Sequence, residues 1–243
     1  GLETLSFGGD FFRRFELNVG DEWGNVYSRG FARDDQVRVL VAADGTPEVT
    51  SGQEVLVDNF NKDWLGGMNN SFTYKNWNFG FLIDIRQGGE VGSFTNAILA
   101  SDGALQSTVA GRDGSLVFGT NVFPGLDVVQ ADGSANNIQV NAEQFWAKVG
   151  GRNSPVGEAF VEDASNIRMR EMTLGYSLPR SLLGNGPFRS AKFSLVGRNL
   201  FFISNKASID PEVITNTQTN ADCFESFAPP TTRSIGLNIK FGF

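Results

Sequence analysis

The stretch that decides the fold reads Ser234-Ile-Gly-Leu-Asn-Ile-Lys-Phe-Gly-Phe243. Ile235, Leu237, Ile239, Phe241 and Phe243 alternate without a break with Ser234, Gly236, Asn238, Lys240 and Gly242. Successive side chains of a strand point to opposite sides, so one face here is wholly apolar and the other small or polar. Ten residues rising roughly 3.3 Å each and tilted by about 45° span on the order of 23 Å, close to the apolar band of an outer-membrane barrel. A closing strand of a soluble sandwich alternates in the same way. The rest of the sequence has to separate the two.

Upstream, the alternation recurs. Gly66, Met68, Asn70, Phe72 and Tyr74 share one face. After Lys75-Asn76, Trp77, Phe79, Phe81, Ile83 and Ile85 point one way and Asn78, Gly80, Leu82, Asp84 and Arg86 the other. The two-residue link predicts a tight hairpin in which Asn76 tolerates a positive φ. Met172, Leu174, Tyr176 and Leu178 oppose Thr173, Gly175 and Ser177, whereas Ile167 and Met169 have the other parity, which predicts a bulge near Arg170-Glu171. Ala191, Phe193, Leu195 and Gly197 alternate with Lys192, Ser194, Val196 and Arg198.

These segments predict barrel strands at about 64–74, 77–88, 167–179, 188–202 and 231–243. Residues 1–63 read as an outer loop and hairpin excursion, and 89–166 and 203–230 as long outer loops, with short helices over 94–110 and 142–149. The links at 75–76 and 180–189 are short while the other two are long. Short turns at one end and long loops at the other characterise a barrel, and sandwiches seldom sort their loops so cleanly.

Composition narrows the function classes. Among 243 residues there are 22 Phe and 29 Gly, which favour a β-rich chain with many turns. Mean hydropathy is slightly negative and no run of eighteen apolar residues occurs. A spanning helix is excluded; a β-barrel is not, because its strands need apolar residues only at alternate positions. A net charge of −7 argues against a nucleic-acid partner. The absence of histidine removes Ser-His-Asp and Cys-His catalysis and most zinc sites, and no metal or cofactor is expected. The single cysteine, Cys223, reads as an incidental thiol in a polar loop. The opening at Gly1, without a leader, reads as the middle of a larger polypeptide.

Four blocks in order carry a family resemblance. Val57-Asp-Asn-Phe-Asn-Lys-Asp-Trp64 with Asn69-Asn-Ser-Phe-Thr-Tyr-Lys-Asn76, then Phe160 to Pro179, then Leu195-Val-Gly-Arg-Asn-Leu-Phe202 with Ile209-Asp-Pro-Glu-Val213, and Thr231 to Phe243 resemble the late barrel of SusC/RagA-type TonB-dependent outer-membrane transporters of Bacteroidota. Asp58 stands where that family usually has Gly, and Lys62 where Pro is common. The resemblance implies an all-β chain forming the C-terminal segment of a large antiparallel barrel, 22-stranded in the family and closed by a plug. It also implies a SusD-like lipoprotein lid, energy from the TonB complex through parts outside this chain, and outer-membrane lipid around the wall. The implied activity is uptake of large nutrients, glycans or peptides.

The barrel reading assigns faces. Asn78, Asp84, Arg86, Lys192, Arg198, Asn238 and Lys240 are lumen-facing candidates, or partners in interstrand ion pairs with no transport role. Phe79, Phe81, Ile83, Phe193, Leu195, Ile235, Leu237, Ile239 and Phe241 are lipid-facing candidates, and terminal Phe243 a candidate assembly signal. Phe145 and Trp146 could contact a substrate or lid, or could pack into the core of their own loop. Glu162-Asp163 and Asp210/Glu212 could be read as catalytic or calcium-binding, but nothing in the sequence sets the spacing such chemistry needs. A secreted carbohydrate-binding β-sandwich is the competing reading. Exposure of the apolar parity separates them.

Overall fold

The computed structural model describes residues 3–184, 186–213 and 224–243. Its strands, in chain order, are β1 Thr4–Gly9, β2 Arg13–Asn18, β3 Asn25–Ser28, β4 Val39–Leu40, β5 Val55–Asn59, β6 Trp64–Tyr74, β7 Trp77–Gln87, β8 Glu90–Ser93, β9 Val128–Val129, β10 Val161–Asp163, β11 Asn166–Ser177, β12 Ser190–Asn205, β13 Phe224–Glu225 and β14 Ser234–Gly242. The helices are α1 Phe94–Ser101, α2 Ala142–Val149 and α3 Arg180–Leu183. They divide between two compact units.

The first unit gathers residues 3–61, 90–162 and 224–228. The stretches read in the sequence as a separate excursion and a long loop thus fold together. Helix α2 forms because Ala142, Phe145, Trp146 and Val149 recur at helical spacing and all four are buried. The Asn141 side chain caps it, accepting from the Glu143 and Gln144 amides at 2.8 and 3.2 Å. Rings from distant parts of the chain meet above it: Phe31 lies 5.1 Å from Phe118, Phe118 5.3 Å from Phe145, and Phe145 5.3 Å from Trp146, edge to face. Gly150 lets α1 come close, since a Cβ there would stand 2.4 Å from the Ala97 carbonyl oxygen. Phe145 and Trp146, 0% and 4% exposed, pack into this core, and Trp146 also lines a cavity with Asp102, Arg112, Asn141 and Glu143.

The second unit contains residues 62–89, 163–213 and 229–243 among those described. Its five-stranded sheet has the order β14-β12-β11-β7-β6, every pair antiparallel. The turn between β6 and β7 places its positive φ at Lys75 (53°) rather than at Asn76. Asn76 instead ties the turn to the next strand: its amide donates to the Ser177 carbonyl at 2.8 Å, and its own carbonyl accepts from the Ser177 N–H at 2.8 Å. Register shifts between Met169 and Glu171 against both neighbours of β11. That extra residue, Arg170, returns Ile167 and Met169 to the face of Met172 and Leu174. Asn185 of the β11–β12 connection and Cys223 lie outside the described residues.

Replacing Phe145 with Ala removes the middle ring of this series. We expect a loss of about 3–5 kcal/mol in the stability of the first unit. Amide hydrogen exchange in the intact protein should accelerate over 94–101 and 142–149; unchanged protection there contradicts the core assignment.

Candidate functional site

Pairing register fixes the two faces of the five-stranded sheet. On one, the rows across the strands are Tyr74–Trp77–Tyr176–Phe193–Ile239, Phe72–Phe79–Leu174–Leu195–Leu237 and Asn70–Phe81–Met172–Gly197–Ile235. This face is apolar and open: Leu195 is 53% exposed, Leu237 68% and Ile235 70%. Ile239 and Phe241 are also exposed, while Phe79, Phe81, Ile83 and Phe193 are half-buried among neighbouring rings and side chains. A sandwich core would bury these positions against a second sheet. Phe188, from the β11–β12 connection, packs on Phe241 at 4.9 Å and on terminal Phe243 at 5.3 Å.

The opposite face is polar. Asn78, Gly175, Ser194 and Asn238 form one row and Ser177, Lys192 and Lys240 the next. Asp84, opposite Arg168, and Arg86, opposite Asn166, lie toward the long-loop end, with Arg198 opposite Glu171 between.

At that end the segment after β12 folds back and meets three arginines. Arg168 donates to Glu212 at 2.7 Å and lies 3.4 Å from Asp210. Arg170 contacts Glu212 at 2.6 Å, pairs with Asp84, and donates to the Asn199 side chain at 3.0 Å. Arg86 stands 3.5 Å from both Asp84 and Glu212. The Thr231 backbone N–H donates to Asp210 at 3.1 Å, its hydroxyl also contacts that carboxylate, and the Glu212 N–H donates to it at 3.1 Å. Phe202 covers the Arg168 guanidinium at 4.3 Å. Three carboxylates thus face three guanidiniums, with the side chains of Arg168, Asp210 and Glu212 almost fully enclosed.

This arrangement is a clamp in which each of the three carboxylates meets at least one guanidinium. Burial raises the Asp210 and Glu212 pKa values, but Thr231 and two backbone N–H donors at Asp210, and the arginines at Glu212, outweigh it, so both lie below the usual carboxylate range. Asp163 is likewise lowered, to about 2, because its bonds to Lys206 and Ser165 overcome partial burial. Glu162 accepts from the Asn96 amide at 3.4 Å. Among the described residues no three acids are grouped as metal ligands. Sequence reasoning singled out Asp84, Arg86 and the Asp210/Glu212 pair separately. Arg168 and Arg170 escaped it, and the one available signal was the parity break that marks the bulge.

No protein-family model matches the chain. It is 26% identical over 206 residues to TonB-dependent receptor P3 of Formosa agariphila, covering 82% of this chain and 18% of that protein. TonB-dependent receptor P26 of the same organism is 28% identical over 189 residues, covering 74% and 17%. The fold matches a solved structure of the RagAB peptide importer in its closed-closed state with a TM-score of 0.59 at 15% identity, over 100% of this chain and 25% of that one. The chain is similar in sequence to TonB-dependent receptors and shares its fold with part of the RagAB importer. The open-open state of RagAB fits with a TM-score of 0.56. The chain spans about a fifth of the length of the curated TonB-dependent receptors it matches and carries a portion of an antiparallel barrel, open within these residues.

Removing one partner of a buried ion network leaves the others uncompensated. Glu212→Ala should therefore cost on the order of 3–5 kcal/mol locally, read as lost hydrogen-exchange protection over 206–213. Wild-type protection in the variant contradicts the clamp. The pH dependence has a definite sign. Carboxylates with lowered folded pKa values stabilise fully above their unfolded value of roughly 4, and the contribution is lost as pH falls through the folded values. Protection of 206–213 should hold from pH 7 to about 5 and decline below about 4; a decline on the alkaline side contradicts the assignment.

Proposed function

We propose that this chain forms part of the barrel wall of a TonB-dependent importer that takes up large nutrients, glycans or peptides, across the bacterial outer membrane. A SusD-like lipoprotein serves as its lid and the TonB complex supplies energy. The observation that carries this reading is the exposed apolar face running across all five strands, backed by a polar face. Such a sheet suits hydrocarbon on one side and an aqueous interior on the other. Phe79, Phe81, Ile83, Phe193, Leu195, Ile235, Leu237, Ile239 and Phe241 face lipid, and Asn78, Asp84, Arg86, Lys192, Arg198, Asn238 and Lys240 face the interior. Phe243 at the edge strand is the assembly signal. Strands β6 and β14 are the edges of the sheet, and lipid cannot satisfy their free main-chain groups, so the barrel closes with further strands of the same transporter.

The names of the relatives support receptor-type import, and RagAB is itself a peptide importer. The intact protein should fractionate with outer membranes and migrate faster unheated than heated in detergent gels. A lipoprotein should copurify with it, and deletion of its gene should abolish growth on a glycan or peptide polymer as sole nutrient. A soluble, heat-insensitive protein removes the barrel reading; an intact barrel whose loss leaves growth on every such polymer unchanged removes the importer reading.

A further inference from the structure

The two ends of the five-stranded sheet differ in charge. At the long-loop end, Arg86, Arg168, Arg170 and Arg198 each meet a carboxylate. At the short-turn end, positions 71–80, 174–193 and 236–243 contain Lys75, Arg180, Arg189, Lys192 and Lys240 and no Asp or Glu. Lys192 and Lys240 belong to the polar face. Lys75, Arg180 and Arg189 are exposed on the short connections instead, and none of the three has a carboxylate partner among the described residues.

These three cations stand at the rim of the apolar face. The Lys75 ammonium lies 5.4 Å from the ring of Tyr74, which heads the row Tyr74–Trp77–Tyr176 and is 72% exposed. The Arg189 N–H donates to the Gly242 carbonyl at 2.7 Å, so pairing continues past Ser190. Arg189 therefore keeps the parity of Ala191 and Phe193, which is that of the apolar face, and comes level with Phe243. Arg180 opens α3, whose Leu182 is exposed. Amphipathic rings at the end of an apolar band mark the headgroup level, and long basic side chains there keep the stem in hydrocarbon and the charge in the polar layer. Short turns of a barrel lie on its periplasmic side, so this rim meets the inner leaflet.

We propose that Lys75, Arg180 and Arg189 form a docking surface for acidic phospholipids of the inner leaflet, lipids whose phosphate is not offset by a headgroup cation. This rests on the barrel reading. Charge complementarity selects the acidic class, because cations without an anion of their own attract headgroups of net negative charge. The ammonium of a zwitterionic lipid cancels that attraction. Position selects a lipid over a soluble anion: the cations border exposed rings and a leucine, which a membrane covers and a free phosphate leaves wet. Guanidiniums at two of the three positions suit phosphate oxygens, which they bind through paired N–H groups.

The test is photocrosslinking of the intact transporter in phosphatidylcholine vesicles. They carry a trace of phosphatidylglycerol with a photoactivatable headgroup, or the same probe built on phosphatidylcholine. Peptides covering 71–80 and 174–193 should take up the acidic probe roughly fivefold or more over the zwitterionic one. The K75Q/R180Q/R189Q variant should bring the two probes level, while K192Q/K240Q, changed on the polar face, should keep the preference. Equal labelling by both probes in the wild type, or a preference lost in K192Q/K240Q and kept in the triple variant, overturns the proposal. So does labelling that inorganic phosphate displaces at matched ionic strength. Heat-modifiable migration of each sample reports on the barrel separately, so an intact barrel without lipid preference sinks the docking surface alone.

Discussion

Lateral pairing of main-chain groups is the constraint on which the second unit depends. In the order β14-β12-β11-β7-β6, each interior strand satisfies its N–H and C=O groups on both sides, and the side chains are free to make the two faces chemically different. A strict period of two then turns sequence parity into placement. One slipped residue would exchange Phe81 and Leu195 with Leu82 and Val196 and carry Lys192 and Arg198 to the apolar face. The bulge at Arg170 shows how the sheet absorbs a parity break without such an exchange.

That bulge links the sheet to the ionic clamp. The extra residue lies beside Arg168 near the long-loop end, and both guanidiniums meet the returning Asp210-Pro211-Glu212 segment. A connection that the sequence shows only as a long polar loop is therefore tied, in its first part, to the polar face. Within the sheet itself, charges at this end are compensated internally and those at the other end are not. The same fold thus contains a closed electrostatic problem and an open one.

The first unit obeys a different rule. Its core is built of single rings drawn from positions as far apart as Phe12, Phe31, Phe118, Phe145 and Phe224, with little regular periodicity around them. Among its elements the helices α1 and α2 announce themselves, α2 through the spacing of Ala142, Phe145, Trp146 and Val149. Elsewhere Gly, Asp and Asn turns bend the chain so that isolated aromatics converge, an arrangement in which local pattern carries almost no information about partners.

Alternation at Ser234–Gly242, Trp77–Gln87 and Trp64–Tyr74 was legible because strand geometry maps neighbouring residues onto opposite faces, a local relation that needs no knowledge of the rest of the chain. The all-β barrel class and the family resemblance follow from such local blocks. The clamp was not legible, since Arg168 and Glu212 stand 44 residues apart in the chain. Nor was the burial of Phe145, whose Phe118 and Phe31 neighbours come from different segments. The sequence by itself therefore determined which side chains share a face, because that depends on adjacent φ and ψ alone. Only the tertiary structure decided which charges meet and which aromatics are enclosed, because those depend on where distant segments come to rest.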